Sequence, residues 1–459
     1  MSALPEPKAR GAHELLVDPD GEQAMLSEIA LGLLRKARAG GAEQAEVRVS
    51  SSLAREVSVR LGEVDTLEEA RDRGVTVTVY RNKASGTATT GDLSPEALER
   101  AVEQALAIAT YTQPDPAGGL ADAERMAERI EDFDCWHPAT PDMNALLERA
   151  RAIETAGREV DPRIDNSEGA GVSTSAAIGV YANSHGFLAA DRHTGYGQSC
   201  VLVARDERGM QRDWDWDDQG RFDALAAPEL TGRGAAERAL KRLGARRAPT
   251  GPTPVLFTPD TALGLIRHLV GAASGGNLYR RSSFLLDRRG EAIFPDFVQI
   301  HEDPHRPGEA RSSSFDAEGV ATKPAPLIEA GRLVRYLLGS YSARKLGLET
   351  TGNAGGVRNL LVRPGKASQA ELIRQMGRGL VVTEVMGQGV NLVTGDYSRG
   401  ASGYWIEDGQ VAYPVEEITI AGNLRDLYAG VVALGNDVET RRNVQTPSIL
   451  IERMTVAGE

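Results

Sequence analysis

The sequence predicts an α+β fold, with N-terminal helix–strand–helix α/β units followed by a largely antiparallel-sheet C-terminal domain. Three observations predict it. Apolar residues recur at helical spacing in residues 22–39. The residues after them alternate polar and apolar with period two, and Gly-punctuated β segments dominate the chain beyond residue 330. At 459 residues the chain is several times the ~150 residues of one typical domain. It divides into an N-terminal α+β domain at 1–120, a middle α/β subdomain at 121–248 and a C-terminal Gly-rich β-sheet domain at 249–459, with one helix near the start of the last. Glycine supplies 50 residues, above the usual ~7%, so many backbone positions are expected in turns or close contacts.

Each element has a local reason. Met25, Ile29, Leu31, Leu33 and Leu34 build the apolar stripe of the first helix, which Gly40-Gly41 stops. Strands are expected at 46–49, 56–61 and 75–80, a meander punctuated at Gly62 and at 71–74. Ser94 caps a second helix with Pro95 at its first position, running to about residue 109. The Pro/Gly-rich stretch TQPDPAGGLADA at 112–123 reads as a linker. A helix at 141–159, strands at 177–190 and 200–216 (the latter turning at Arg208-Gly209) and a helix at 228–243 make the middle unit, and the basic segment 246–254 ends it. The C-terminal part opens with a strand at 254–258 and a helix at 260–273. Strands follow at 332–338, 379–386, 403–406, 410–414, 418–421 and 448–456, with a hairpin turn at Glu407-Asp408-Gly409. No repeat of 20–50 residues signals a solenoid.

Charge and cysteine content narrow the class. With 52 Lys+Arg against 65 Asp+Glu the net charge is −13, which repels a phosphate backbone, so no nucleic-acid partner is expected. Cys135 and Cys200 form no CxxC pair and read as two isolated buried thiols. Residues 1–16 contain Pro5, Glu6, Pro7, Lys8 and Arg10 without an apolar leader core, and no stretch is apolar enough to span a bilayer. A cytoplasmic protein with no membrane partner is expected.

Several motifs invite chemistry. His301-Glu302-Asp303-Pro304-His305 has HExxH spacing, which on a helix puts both imidazoles on one face to bind zinc, with the Glu as general base. Pro304 works against that helix, and Pro295 and Pro307 flank it. The readings are therefore an extended loop, or a metal site with His301 and His305 as ligands and Glu302 as the catalytic group. MGQG at 386–389 lacks the third glycine of a dinucleotide loop and the GK[ST] of a P-loop, and GASG at 400–403 is one residue short of a nucleophile elbow. Glu416-Glu417 are adjacent, so on a strand they face opposite ways. DWDWDD at 213–218 reads as a strand end and turn, or as an acidic partner contact. The segment 387–422 interleaves glycines with polar side chains; Gly387, Gly389, Asn391, Thr394, Asp396, Tyr397, Ser398 and Arg399 are candidates for receiving an extended peptide backbone, the alternative being a hairpin packed on its own domain.

These last residues carry a resemblance. TGDYSRGASGYW at 394–405, continuing through YPVEEITIAGN at 413–423, together with SYSARKLG at 340–347, TGNAGG at 351–356 and HEDPH itself, resembles the PmbA (TldE) branch of the TldD/PmbA family. The resemblance runs from about residue 20 to the end. It implies a cytosolic metallopeptidase system acting on unfolded or short peptides and linked to microcin maturation, antitoxin degradation and gyrase modulation. In it a PmbA chain pairs with a TldD-like subunit as a heterodimer, with a homodimer as a further possibility. The family's catalytic HExxxH helix and late Cys ligand map onto Arg267, His268 and Ala272 and onto Arg441, after Gly435-Asn436-Asp437. Arg267 and Arg441 have no lone pair to give and Ala272 has no ligand atom. The resemblance thus implies a chain without catalytic or metal residues of its own that helps enclose substrate, with zinc in the TldD-like partner. Two other functions remain open: an autonomous metallopeptidase using HEDPH, and an interaction protein that modulates gyrase through acidic surfaces such as 213–218.

Overall fold

A computed structural model describes residues 14–458; residues 1–13, most of the stretch read for a leader, lie outside them. After a turn of helix, α1 (Glu14–Val17), Asp18 accepts the backbone N–H of Gly21 at 3.0 Å and starts α2 (Pro19–Ala39). Three strands follow, β1 (Gln44–Arg60), β2 (Glu63–Arg81) and β3 (Ala84–Thr90), and then α3 (Pro95–Tyr111), capped by Ser94. The order then repeats: α4 (Met143–Arg158), β4 (Ile164–Asn183), β5 (Leu188–Asp206), β6 (Gly209–Gln219) and α5 (Pro228–Lys241). Segments 1–120 and 121–248 contribute three strands each to a single sheet, ordered β3-β2-β1-β4-β5-β6, with β1 and β4 antiparallel at its centre.

Several expected strand limits change. Residues 46–49 and 56–61 belong to one strand, because Ser51, Leu53 and Arg55 continue the buried alternation of Val49 and Val57. Buried Arg55 is tolerated because Glu69 pairs with it at 2.7 Å. Residues 71–74 lie inside β2, opposite 50–53, and not in a turn. The expected strand 177–190 contains the hairpin turn between β4 and β5. The true β1–β2 turn, at Leu61 (φ 53°) and Gly62 (φ 83°), is fastened by Glu154 of α4, whose carboxylate accepts both N–H groups at 2.8 and 2.7 Å.

The helices cover one face of this sheet. Val47, Val49, Val75, Val77 and Ile178 pack under α2 and α3, and Val57, Val59, Val172 and Leu202 under α4 and α5. Glycines bring α4 and α5 close together: a Cβ on Gly232 would stand 2.0 Å from the Ile153 carbonyl oxygen, and one on Gly157 would stand 2.6 Å from the Gly232 carbonyl oxygen. The opposite face carries small and polar residues.

The C-terminal domain begins with β7 (Gly251–Phe257), α6 (Pro259–Ala273) and α7 (Gly275–Tyr279). Then come β8 (Ile300–Glu302), β9 (Ala325–Glu329), β10 (Arg332–Leu333), α8 (Ser340–Leu346), β11 (Leu360–Val362) and α9 (Gln369–Met376). The chain ends with β12 (Gly379–Met386), β13 (Asp396–Glu407), β14 (Gln410–Asn423), α10 (Leu424–Ala429), β15 (Val431–Leu434), β16 (Val444–Gln445) and β17 (Ile449–Ala457). Strand β7 pairs with β12 and β17, and β14 reaches β17, so β7-β12-β13-β14-β17 closes into a barrel that is antiparallel except at β7–β12. The five short pieces β10-β9-β8-β11-β16 form a second sheet. The expected strand 332–338 is regular only at Arg332–Leu333. The expected strands 410–414 and 418–421 are one strand with a bulge at Glu416-Glu417, where Glu417 takes φ 51°.

Arg242, just past α5, fastens the two parts together. Its guanidinium lies 2.7 Å from Glu384 on β12, 2.8 Å from Ser402 on β13 and 3.4 Å from Asp213 on β6. Among the described residues no helix is long and apolar enough to cross a membrane.

Gly232→Ala is expected to lower the unfolding free energy by about 1–3 kcal/mol, since the added methyl meets backbone and not a movable side chain. Urea titration measures it, and an unchanged midpoint would show that α4 and α5 can separate without cost.

Candidate functional site: a cationic cleft over the open sheet face

Where the bare face of the N-terminal sheet looks toward the C-terminal domain, two cavities open, of about 630 Å³ and about 710 Å³. Arg311 lines both, so they adjoin. The register sets their floor. Ser173 pairs with Gly197 and Ser175 with Gly195, so side-chain alternation turns these four small residues to the same face, beneath the first cavity. Ser50 and Gly179 line the second cavity in the same manner. The walls over the first are residues 308–311, residues 440–443 and Arg267.

Helix α6 presents Arg267 because its other faces are committed. Leu265, Ile266, Leu269, Ala272 and Ala273 are buried in the core, leaving Arg267 on the cleft side. Partial desolvation and the neighbouring Arg442 push its pKa below the usual arginine value. Arg441 arrives from the far end of the chain. Its fork grips Glu439 at 2.9 and 2.6 Å and donates to the Trp216 carbonyl at 2.5 Å, while Arg441 and Arg442 both lie against the Trp216 ring, at 4.1 and 4.0 Å. Two positions that the family resemblance singled out, Arg267 and Arg441, thus meet in one cleft although 174 residues separate them (441 minus 267). The other two do not join them. Ala272 is fully buried. His268 is half-buried with its ring edge-on to Tyr397 at 6.1 Å; its Nε2 is buried without a hydrogen-bond partner, and burial plus Arg399 hold its pKa down, so the ring is neutral.

This donor set does not fit a metal ion. Guanidinium groups offer no lone pair, Ala272 offers no atom, and one neutral imidazole cannot hold zinc by itself. No cluster of three or more His, Cys, Asp or Glu side chains is placed to bind a metal among the described residues.

The HEDPH motif folds as the end of a strand. His301 and Glu302 lie on β8, so His301 points outward while Glu302 is buried, and the shared helical face that a zinc site needs does not form. Glu302 is fully engaged: Asn353 donates to both its oxygens at 3.0 Å, the Arg358 backbone N–H donates at 2.5 Å, and Arg335 forms an ion pair with it. His305 hydrogen-bonds Thr322 at 3.0 Å and stacks on Phe133. These are structural contacts, and they leave the Glu302 carboxylate no free face for a water.

The glycine-rich segment is closed on itself. A Cβ on Gly389 would stand 1.9 Å from the Ser398 carbonyl oxygen, and Ser398 N–H donates to Gly389 at 2.7 Å. Asn391 and Asp396 are bonded backbone to backbone at 2.9 Å, Thr394 and Asn423 hold the Asp396 carboxylate, and Arg399 donates to the Met386 carbonyl, just before Gly387. Tyr397 is buried, its pKa pushed up to about 12 by desolvation. Strands β13 and β14 are consumed by barrel closure. At Gly389 the close approach foreseen for a foreign peptide is made by the chain's own backbone, and Asn391, Thr394, Asp396, Ser398 and Arg399 are hydrogen-bonded within the domain, with Tyr397 buried in it; Gly387 (φ 82°) stays exposed, with no atom beyond its chain neighbours within 4 Å of its Cβ position.

Two further expectations change. The acidic run 213–218 lies in strand β6, in which Asp213 and Asp217 are buried, Asp213 against Arg242 and Asp217 accepting the Ala226 N–H at 2.7 Å, while Asp218 is exposed. Cys200 is buried, its pKa pushed up to about 12, but Cys135 is only half-buried.

Comparison with known proteins places this geometry. Models described as the PmbA/TldA metallopeptidase domain 1, central domain and C-terminal domain match residues 45–109, 136–243 and 250–458. The metalloprotease PmbA of Escherichia coli O157:H7 is 43% identical over 437 residues, 95% of this chain and 97% of its own. The chain belongs to the PmbA/TldD family. A PmbA homolog of Haemophilus influenzae is 42% identical, over 95% of this chain and 97% of its own. Among solved structures, a candidate modulator of DNA gyrase from Bacteroides thetaiotaomicron superposes with a TM-score of 0.90 at 25% identity, over 96% of this chain and 99% of its own. TldE from Thermococcus kodakarensis shares the fold, with a TM-score of 0.82 at 23% identity over 93% and 99% of the two chains.

For this PmbA-type chain, the cleft residues Arg311, Arg442, Ser173, Ser175, Gly195 and Gly197 escaped the sequence reading. One signal was present: small or polar residues at every second position of 171–179, facing away from the apolar ones.

Glu302→Ala is expected to cost about 3–5 kcal/mol, because it strands the buried Arg335 guanidinium, whereas the exposed His301→Ala should change stability by less than about 0.5 kcal/mol. Urea unfolding of both variants measures this. A loss of bound zinc in His301→Ala would restore the metal reading of the motif.

Proposed function

We propose that this chain is the non-catalytic, peptide-holding subunit of a cytoplasmic metallopeptidase whose zinc and catalytic residues belong to a TldD-like partner. The observation that carries the reading is the meeting of Arg267 and Arg441, two positions at which the family resemblance expects metal ligands, in one cleft floored by small residues. A cleft of about 630 Å³ accommodates a few residues of extended peptide, and the Ser and Gly floor lets a backbone approach closely. The curated relatives carry the name metalloprotease, and the reading keeps that activity for the assembled pair. Unfolded or short peptides are the substrate class, since a folded domain cannot enter the cleft.

Peptide hydrolysis is expected to stay at background for the purified chain with added zinc. It should appear on mixing with the TldD-like partner and vanish again with chelator. Metal-dependent cleavage by this chain alone would overturn the assignment.

A further inference from the structure

Three guanidinium groups in the cleft have no counter-charge in contact. Among the described residues, the side chains of Arg267, Arg311 and Arg442 make no hydrogen bond or ion pair, and the Arg442 Nε is buried without a partner. Their neighbours differ: Arg221 is paired with Asp223 and Arg441 with Glu439. The carboxylates in the same cleft are mostly committed, Glu309 to Arg306 and Gln445, and Asp134 to His137. Among the described residues the Asp218 side chain makes no hydrogen bond or ion pair; partial desolvation raises its pKa and Arg442 opposes that rise. In this cavity three free cations therefore face one free carboxylate, and Asp191 stands in the adjoining cavity that Arg311 also lines. Assembling like charges in a partly desolvated cleft is unfavourable unless an anion enters with them.

We propose that Arg267, Arg311 and Arg442 form a carboxylate-binding site that takes a carboxylate group of a bound peptide. The planar guanidinium fork matches a carboxylate in bidentate geometry. The hydroxyl groups of Ser173 and Ser175 lie on the floor beneath. Asp218 works against a dianion, so a singly charged carboxylate suits the cleft better than phosphate. The inference rests on the peptide-holding reading for its occupant and on these arginines for its chemistry. The carboxylate has two sources, the peptide C-terminus and an acidic side chain, and both present the same group.

The test is binding of fluorescent short peptides to the full chain without its partner, followed by anisotropy. Three peptides are compared: one lacking acidic residues with a free C-terminus, its C-terminal amide, and the amide with one internal Glu. The free-acid form is expected to bind at least about tenfold more tightly than the plain amide, by the worth of a charge-assisted bidentate pair. Recovery of affinity by the internal Glu supports the site and names the side chain as a second source; no recovery supports the C-terminus alone. Arg267→Gln and Arg311→Gln should each remove most of the free-acid advantage, with a melting temperature no lower than that of the unsubstituted chain. Equal binding of free acid and amide overturns the carboxylate site and leaves the peptide-holding reading intact, whereas binding of neither overturns both. Displacement of peptide by inorganic phosphate at tenfold lower concentration than by acetate would overturn the choice of carboxylate.

Discussion

Everything in the cleft depends on the antiparallel pairing of β1 with β4, which aligns residues 46–59 with 170–183. Each half of the N-terminal region is a helix, three strands and a helix, and each could bury only one face of a three-stranded sheet by itself. Joining the halves through their first strands, antiparallel, puts all four long helices on the same side. The other side is then left bare across six strands. A bare sheet face is ordinarily a liability. Here it is polar and Gly/Ser-rich, and the C-terminal domain stands over it at a distance that leaves cavities.

That distance is set by arginines and by one small aromatic cluster in which Tyr181 and Phe187 of the β4–β5 hairpin meet Phe315. Arg242 holds β6 to the barrel through Asp213, Glu384 and Ser402. Arg344 of α8 donates to the carbonyls of Ala117, Gly119 and Leu120 and so pins the 112–123 loop to the C-terminal domain. Arg246 lies 3.6 Å from the centre of the Tyr413 ring. Long side chains that reach across a gap to carbonyls and carboxylates fix two bodies without closing the space between them; apolar packing would have filled it. The edge strand β6 is sealed in the same way. Trp214 and Trp216 give their outward carbonyls to Arg238 and Arg441, while the preceding Asp213 and Asp215 accept their N–H groups. An edge satisfied by side chains cannot recruit another strand.

The legibility of this structure in its sequence follows how local each signal is. Helices α2, α3, α4, α5 and α6 were readable because their caps, prolines and apolar spacing sit within each segment. The length of β1 was not, because Ser50-Ser51-Ser52 looks like a loop until Ile178, across the sheet, is seen opposite Ser51. Gly389 shows the limit of composition: its missing Cβ does make room for a backbone, as glycine there suggests, but which backbone is a tertiary fact. The DWDWDD run shows the same limit: it ends strand β6, as one of its two readings has it, but that Asp213 and Asp217 find Arg242 and Ala226 depends on residues elsewhere in the sequence. The residue types at Arg267 and Ala272 are read directly from the sequence; the meeting of Arg267 with Arg442 was not legible, because no local pattern joins α6 to the loop before β16.

The chemistry at that meeting point separates binding from catalysis. A divalent metal held by neutral imidazoles would place two positive charges over a peptide and also lower the pKa of a bound water. Three free guanidinium groups opposed by Asp218 leave the same excess of two charges above the Ser/Gly floor. On the proposed reading, the attraction for a negatively charged peptide group needs no metal. What is lost is the open coordination position, since a guanidinium stays protonated through the physiological range and can neither coordinate a water as a Lewis acid nor take its proton. On the function proposed above, such a cleft retains and orients a peptide without cutting it, and the scissile bond is met by another subunit.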